Sequence, residues 1–259
     1  MANELERRRT LMNKTLQDAK KIIEDSPMML AAQGIQREHF AEIVREAIIA
    51  NPDIITCSET SLAQAFRKCC RDGIVPDGLS GAIVPFGQEA VALTMVNGYK
   101  RMAHEGLGAE IREGAILDGD EIRITQGVGI KPTLEVIIKD TSYFTASVEK
   151  PVVGSYCWLK LPHEEWPRLY LYRLNDIERA RAASRAQNGP WKVWPDRMAV
   201  KSVINSAIRS LRYLRDARSE LLFRAVEDDI QAEFDQAHAR GHHQGYVLLH
   251  RVGGKAGCR

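Results

Sequence analysis

An apolar stripe of helical period marks three segments in the first seventy residues of the chain. The spacing predicts helices over residues 3–25, over residues 37–50, and from the Thr56-Cys57-Ser58-Glu59 pattern up to Gly73. In that pattern the threonine is predicted to cap the third helix and the glutamate to reach back to it. The glycine suits the left-handed residue that often ends a helix. Three helices therefore precede the first predicted strand.

Past Gly81 the apolar positions follow the shorter period that is typical of strands. Residues 81–85 and 90–96 flank Phe86-Gly87-Gln88-Glu89 and predict a β-hairpin. Later strands are predicted at residues 109–117, 121–126, 133–138, 152–161 and 168–171, and helices at residues 97–104, 175–185, 194–216 and from there to Ala237. This order predicts an α+β fold in which helices pack on a central antiparallel sheet.

The composition is that of an ordinary globular protein, with 44% hydrophobic and 27% charged residues in a chain of 259. Five cysteines are scattered without a C-x-x-C pair, which favours a reduced, cytoplasmic protein over a disulfide-stapled one. No apolar run approaches the ~20 residues of a membrane span, and the N-terminus lacks the apolar core of a secretory signal. We therefore expect a cytoplasmic protein without a membrane partner.

Charge is distributed unevenly along the last third of the chain. Residues 168–218 contain twelve lysines and arginines against four acids, whereas residues 219–237 contain six acids against Arg224 alone. A basic block of this kind suits a polyanionic partner such as a nucleic acid. The acidic block that follows it is expected to have a different role.

The basic block contains one helix with a cationic face. On a helical wheel, a sector of about 120° holds Arg197, Lys201, Asn205, Arg209, Arg212 and Arg215, and the opposite sector holds Val200, Val203, Ile204, Ala207, Leu211 and Leu214. The alternative interpretation is an ordinary solvated face. Ordinary faces, however, carry acids at i,i+4 positions that neutralise the cations, and this face has almost none. We therefore expect it to contact phosphates.

Three tryptophans lie close to this helix in the sequence, namely Trp166, Trp191 and Trp194. Their rings could stack on bases, since every base offers an aromatic face. Tryptophans beside the start of a helix are nevertheless more often anchors in a core. We interpret Trp191 as such an anchor.

Four short motifs occur in a fixed order along the chain: Gly73-Ile74-Val75-Pro76, Pro85-Phe86-Gly87, Gly98-Tyr99-Lys100 and Asn188-Gly189-Pro190-Trp191. The last is a turn that precedes the basic helix. In this combination the chain resembles the RecT family of phage and prophage recombinases, which is similar in turn to the Red-beta annealing proteins. The resemblance spans residues 30–215.

The resemblance implies a non-enzymatic protein that binds single-stranded DNA and anneals complementary strands without ATP, as an oligomer, in phage-type homologous recombination. It implies roles at the DNA for residues of the Gly-Tyr-Lys motif, of the turn and of the basic helix: Tyr99, Lys100, Lys192, Lys201 and Arg209. The helical wheel adds Arg197 and Arg212 to this set. No cofactor is expected, with Mg²⁺ as at most an aid to annealing.

We divide the chain into three parts: an N-terminal helical segment over residues 1–29, a candidate oligomer contact; a DNA-binding core over residues 30–218; and an acidic helix with a mobile tail over residues 219–259. The implied partners are single-stranded DNA, the annealed duplex, further copies of the chain in a ring or helical filament, a phage exonuclease and the host single-strand-binding protein. The histidine-rich residues 238–259 depart from the acidic C-terminal segment typical of the family.

Two other functions stay open at this stage. Asp118, Asp120 and Glu121 could form the metal site of a nuclease, although Asp118-Gly119-Asp120 also has the chemistry of a tight turn. The basic helix could equally serve an RNA-binding or chaperone-like module. A P-loop is not predicted, because Gly253-Gly254-Lys255-Ala256 lacks both the leading glycine spacing and the hydroxyl residue of that motif.

Overall fold

The N-terminal helices and the first hairpin pack around one hydrophobic core. The computed structural model describes residues 2–26, 35–139, 150–184 and 190–228. Its first elements are α1 (Ala2–Asp25), α2 (Arg37–Ala50), α3 (Glu59–Asp72), β1 (Gly81–Phe86) and β2 (Glu89–Thr94). The apolar stripes of the helices meet in this core, where Phe40, Ile48 and Phe66 are enclosed. The three predicted helices and the predicted hairpin are confirmed.

The start of α3 differs from the prediction by its capping residue. Ser58 is the cap, and its Oγ accepts a hydrogen bond from the Ser61 amide at 3.3 Å. The Thr56 hydroxyl instead donates to the Asp53 carbonyl at 2.7 Å, inside a 3-10 turn that begins at Pro52. The prediction of Thr56 as the cap is therefore wrong. Gly73 ends α3 at a φ of 67°, as predicted.

Helix α4 (Val96–Leu107) carries the Gly-Tyr-Lys motif and begins against the loop before β1. A Cβ on Gly98 would lie 2.1 Å from the Ser80 carbonyl oxygen, so a larger residue would collide with the backbone there. The next side chain, Tyr99, is completely buried. Close packing of α4 thus accounts for the glycine of the motif and places the tyrosine in the core.

A three-stranded antiparallel sheet supports the second half of the fold. Its strands are β3 (Glu110–Leu117), β6 (Val152–Lys160) and β7 (Arg168–Arg173), with β6 in the middle. Helices α4 and α7 (Pro195–Arg209) cover one face of it. The α+β class is confirmed, but the strands do not form one central sheet, since β1–β2 is a separate hairpin. Alternating hydrophobicity predicts strands without specifying which of them pair.

A second separate hairpin, formed by β4 (Glu121–Gly127) and β5 (Ile130–Ile137), stands out from the sheet. Ile122 and Ile124 remain 39% and 47% exposed on one side of it. Its tip is tethered to the sheet, because Gln126 Nε2 donates a 3.1 Å hydrogen bond to the Leu169 carbonyl. The turn of this hairpin therefore lies beside the start of β7.

The basic helix is shorter than the sequence predicts. The elements after the sheet are α5 (Leu174–Ala183), α6 (Pro190–Val193), α7, a 3-10 turn at Arg212–Leu214 and the helical residues 220–228, which we call α8. Helix α7 ends at Arg209 because the Leu211 amide bonds to the Ile208 carbonyl at 2.9 Å, an i to i−3 bond that tightens the chain into a turn. The predicted helix over residues 194–216 is therefore wrong over residues 210–216. Residues 185–189, which include Asn188 and Gly189 of the Asn-Gly-Pro-Trp turn, lie outside the described ranges.

Helix α8 belongs to the same core as α4 and α7. Its buried side chains in that core are Leu222, Phe223, Ala225 and Val226. Because these side chains pack with α4 and α7, we propose that the core extends beyond the predicted boundary at residue 218 and includes α8. Residues 229–259, which include the rest of the predicted acidic helix and the tail, lie outside the described ranges.

The cysteines of the described ranges are Cys57, Cys69, Cys70 and Cys157, all buried and unbridged. Burial raises the pKa of Cys70 to about 11 and that of Cys157 to about 12, so neither thiol ionises near neutral pH. These cysteines are core residues. Within the same ranges, no helix combines the length and the apolarity that a membrane crossing requires.

Candidate nucleic-acid interface

One face of α7 is locked against the sheet. The Ser155 hydroxyl of β6 donates a 3.0 Å hydrogen bond to the carbonyl oxygen of Ala199. The residues of this face are completely buried: Ala199, Val203, Ile204, Ala207 and Ile208. Because these contacts prevent the helix from rotating about its own axis, its outward side chains keep a constant position relative to the sheet.

Exposed cations stand at both ends of the outer face of α7. The Arg197 guanidinium carbon lies 5.7 Å from the centroid of the Trp194 ring, which is 51% exposed. Arg209 is exposed in the last turn, and Lys192 is exposed on α6. Among the residues that the structure describes, no carboxylate forms an ion pair with Arg197 or Arg209. At a rise of 1.5 Å per residue, Arg197 and Arg209 lie about 18 Å apart along the helix axis. This distance equals the length of about five nucleotides at 3.4 Å each.

Lys201 lies between these two arginines and rests on Tyr99. Its Nζ is 5.7 Å from the centroid of the Tyr99 ring. The ring itself is fully enclosed, and its hydroxyl donates to the Ala225 carbonyl of α8 at 3.4 Å. A ring without exposed surface cannot stack on a base, so the geometry gives Tyr99 a positioning role beneath Lys201 in place of the predicted contact with DNA.

Lys100, the third residue of the motif, faces a carboxylate. Its Nζ lies 2.8 Å from Glu113 Oε1 on β3, and both side chains are partly buried. Glu113 is the cross-strand partner of Cys157, at the centre of the sheet. Lys100 is thus neutralised within the fold and is less available to a phosphate than Arg197 or Arg209.

The predicted cationic stripe does not continue past Arg209. Arg212 lies on the 3-10 turn and pairs with Glu227 at 2.7 Å, and Arg215 pairs with both Glu220 at 2.7 Å and Glu227 at 2.9 Å. Asn205, predicted on the same face, is only 7% exposed. The stripe is therefore confined to α7, and Arg212 belongs to an ion-pair cluster with α8.

The acids of α8 are used to hold the fold together. The Arg215 side chain donates to Glu220, and this hydrogen bond holds the pKa of Glu220 below its usual value. Asp228 pairs with Lys68 of α3, and Arg224 approaches Asp72, which is completely buried. The acidic residues of α8, which follow the basic block in the sequence, therefore form ion pairs with α3 and with the segment after α7.

Tyr213, which follows the end of α7, and Arg168 of β7 form a hydrogen-bonded pair beside the surface of α7. Tyr213 is 65% exposed, and its hydroxyl accepts a 2.6 Å hydrogen bond from the Arg168 guanidinium. Arg168 also donates to Glu164 at 2.8 Å, and Tyr170 bonds to Ser210 at 2.5 Å. Sequence analysis missed this group, although a tyrosine between two arginines in a basic block could have indicated it.

The tryptophans near α7 differ in exposure. Trp191 is 2% exposed and packs with Ile177 and Ala199, which confirms its interpretation as an anchor. Trp194 is 51% exposed and Trp166 is 36% exposed. Only these two present a ring that an external base could reach.

The carboxylates of the β3–β4 turn serve that turn and its neighbours. Asp120 Oδ2 accepts a 2.9 Å hydrogen bond from the Leu117 amide, and Gly119 between the two aspartates has a φ of 89°. Hydrogen bonds from Lys139 and Arg123 lower the pKa of Glu121. Within the described ranges, no group of three or more His, Cys, Asp or Glu side chains could hold a metal ion. Asp120 therefore serves the tight turn, and Glu121 is paired with Lys139 and Arg123.

The elements that build this surface all lie within one family match. The model of the RecT family matches residues 38–218, from α2 to the loop before α8. Among curated proteins, none matches the chain. The family match takes in 181 of the 259 residues, and the chain therefore belongs to the RecT family, whose members are single-strand annealing proteins of phage-type recombination.

Proposed function

We propose that this protein binds single-stranded DNA along the outer face of α7 and anneals it to its complement without ATP and without making or breaking covalent bonds. Family membership supports annealing as the activity. The observation that carries the proposed binding surface is the pair of exposed cations, Arg197 and Arg209, on a helix whose opposite face is locked in the core. Lys201, supported by the buried Tyr99 ring, adds a third cation between them.

Annealing on such a surface needs no catalytic group. Two complementary strands repel through their phosphates, and cations that neutralise one strand remove part of that barrier. A strand held extended by its backbone keeps its pairing edges free for the complement. Base pairing then supplies about 1.4 kcal/mol per step, so no nucleotide fuel is required.

We further propose that several copies line up along one strand. A contact of about five nucleotides per copy is weak alone, and tethering many copies to the same strand converts it into tight binding. The N-terminal helix α1 is the candidate contact between copies, with Leu5 of its first turns 70% exposed. A phage exonuclease and the host single-strand-binding protein are the proposed protein partners.

The proposal is tested by annealing two labelled complementary oligonucleotides without ATP. We expect the unmodified protein to accelerate duplex formation, and Lys201→Ala with Arg209→Ala to abolish most of that acceleration. Removing two phosphate contacts should also make the plot of the logarithm of the binding constant against the logarithm of the salt concentration less steep. For a single strand the magnitude of its negative slope should decrease by about 1.4. Particle imaging of the same samples reports rings or filaments.

The matched control removes two positive charges elsewhere. Arg67 and Lys160 are exposed, and neither forms an ion pair with a described residue, so Arg67→Ala with Lys160→Ala should leave annealing and the salt slope nearly unchanged. Equal losses in both double variants would reject α7 as the binding surface. Preferential binding of RNA at matched salt would favour the RNA-chaperone alternative, and degradation of the strands with Mg²⁺ would favour the nuclease.

A further inference from the structure

An open cleft lies between the tip of the β4–β5 hairpin and the segment that leads into β7. Its volume is about 530 Å³, within the range of about 300–1,000 Å³ that is usual for sites of small ligands. The hairpin contributes Gln126, Ile130 and Pro132, and the opposite wall contributes Trp166 and Pro167. The hydrogen bond from Gln126 to the Leu169 carbonyl holds the two walls together.

The chemistry of the walls suits a neutral aromatic group. The Trp166 ring and two prolines offer flat apolar surface against which a ring can stack. Glu164 and Glu165 line the same cleft. Arg168 bonds Glu164 Oε1, but Glu164 Oε2 has no hydrogen-bond partner among the described residues, and together with Glu165 it can accept hydrogen bonds from the amino groups of adenine, cytosine or guanine. The cleft therefore favours a nucleobase over the backbone that carries it.

Arg168 connects this cleft to the surface of α7. It lines the cleft, and its guanidinium also donates to the hydroxyl of Tyr213 and lies 5.8 Å from the centroid of that ring. Tyr213 lies four residues after Arg209, in the 3-10 turn that follows α7, and is mostly exposed. A strand that runs along α7 and passes Arg209 thus meets Tyr213 and Arg168 before it reaches the cleft.

We infer that the cleft beside Trp166 receives one unpaired base of the bound strand, while the phosphates on either side remain on the cationic surface. This inference rests on the proposed function and adds a base-stacking site to it. A base inside the cleft cannot be paired, so the site favours single-stranded over duplex DNA.

Two oligomers of equal length separate base contacts from phosphate contacts: a deoxycytidine strand, whose bases carry amino groups, and a strand with the same backbone but no bases. The unmodified protein should bind the deoxycytidine strand more tightly. Trp166→Ala should reduce that preference about tenfold, since stacking of one base is lost, and should leave the salt slope unchanged. Trp166→Phe should retain most of the preference. Val128→Ala, in the hairpin turn but outside the cleft, is the matched control and should behave like the unmodified protein.

A second measurement uses the unmodified protein and does not depend on how a variant folds. A deoxycytidine strand that carries photoreactive 5-iodocytosine should crosslink to residues 126–132 or 164–170. Crosslinks confined to other residues, or an unchanged preference in Trp166→Ala, would overturn the cleft as a base site and leave the proposed function standing. Failure of the unmodified protein to bind either strand would instead overturn the proposed function.

Discussion

At the scale of single residues, burial separates the predicted DNA contacts into two kinds. Arg197 and Arg209 project from α7 without an acidic partner among the described residues. Tyr99 and Lys100 share a motif, yet one is enclosed in the core and the other is paired with Glu113. A short motif indicates that a residue type is needed at a position. It does not indicate whether the side chain of that residue points to the solvent or to the core.

The role of Tyr99 can be tested through its hydroxyl. Tyr99→Phe removes the hydroxyl that donates the long hydrogen bond to the Ala225 carbonyl and keeps the ring beneath Lys201. We expect it to lower the free energy of unfolding by about 1 kcal/mol or less and to change DNA affinity less than twofold. Urea unfolding and fluorescence anisotropy measure the two quantities. A tenfold loss of affinity with unchanged stability would indicate that the hydroxyl itself contacts DNA.

At the scale of elements, local signals predicted most helices and strands, and contacts distant in sequence decided the rest. The cap at Ser58 and the left-handed Gly73 depend only on residues close to them in the sequence. The start of α3 was therefore predicted to within two residues. The end of α7 was not, because Leu211 continues the apolar period and is buried although it lies in a turn. The ion pair between Arg212 and Glu227 joins residues fifteen positions apart, which a rule for i,i+4 pairs does not detect.

Truncation tests whether α8 is part of the core. A chain that ends at residue 218 loses Leu222, Phe223 and Val226, all of which are buried. We expect this chain to be insoluble or to unfold without cooperativity, since each lost core side chain costs about 2–5 kcal/mol. A chain that ends at residue 228 keeps these contacts and is the control. Cooperative thermal unfolding of the shorter chain would show that the core ends at residue 218.

We propose that the acids of α8 compete with DNA for the arginines after α7. Glu220→Gln with Glu227→Gln removes the charges that neutralise Arg212 and Arg215. We expect single-stranded DNA to bind several-fold more tightly at low salt, with a salt slope steeper by up to about 1.4. Glu38→Gln with Glu89→Gln makes the same change in net charge at exposed positions and should have little effect. An equal gain in DNA affinity in both double variants would indicate that the net charge of the protein, and not the release of Arg212 and Arg215, causes the effect.

At the scale of the whole molecule, one buried carboxylate joins the two cores. Asp72 at the end of α3 bonds to Lys68 and Arg71 on its own helix and lies 3.6 Å from Arg224 of α8. Burial alone would raise the pKa of Asp72, but the hydrogen bonds from Arg71 and Lys68 outweigh it and hold the pKa below its usual value. The α+β class could be predicted from periodicity, whereas this connection could not, because its partners lie more than 150 residues apart.

The pH dependence of stability follows from that lowered pKa. Ionised Asp72 stabilises the fold above the unfolded pKa of about 3.9, and this contribution is lost as the pH falls through the lower folded value. Asp72→Asn should therefore reduce the free energy of unfolding by about 3 kcal/mol at pH 7, and by much less at pH 2. Urea unfolding at both pH values measures this, with the exposed Asp53→Asn as control. If Asp72→Asn lowered the free energy of unfolding by the same amount at both pH values, the stabilising role of the ionised carboxylate would be contradicted.

The same carboxylate has a consequence for how the protein is made. When a ribosome has just completed α3, the residues that will cover Asp72 have yet to be translated, and Asp228 follows Lys68 by 160 positions. The first helices can gather early, but Arg224 and Asp228 are added only after about 150 further residues. We therefore expect a nascent chain that is released before α8 to leave this junction open and accessible to proteases.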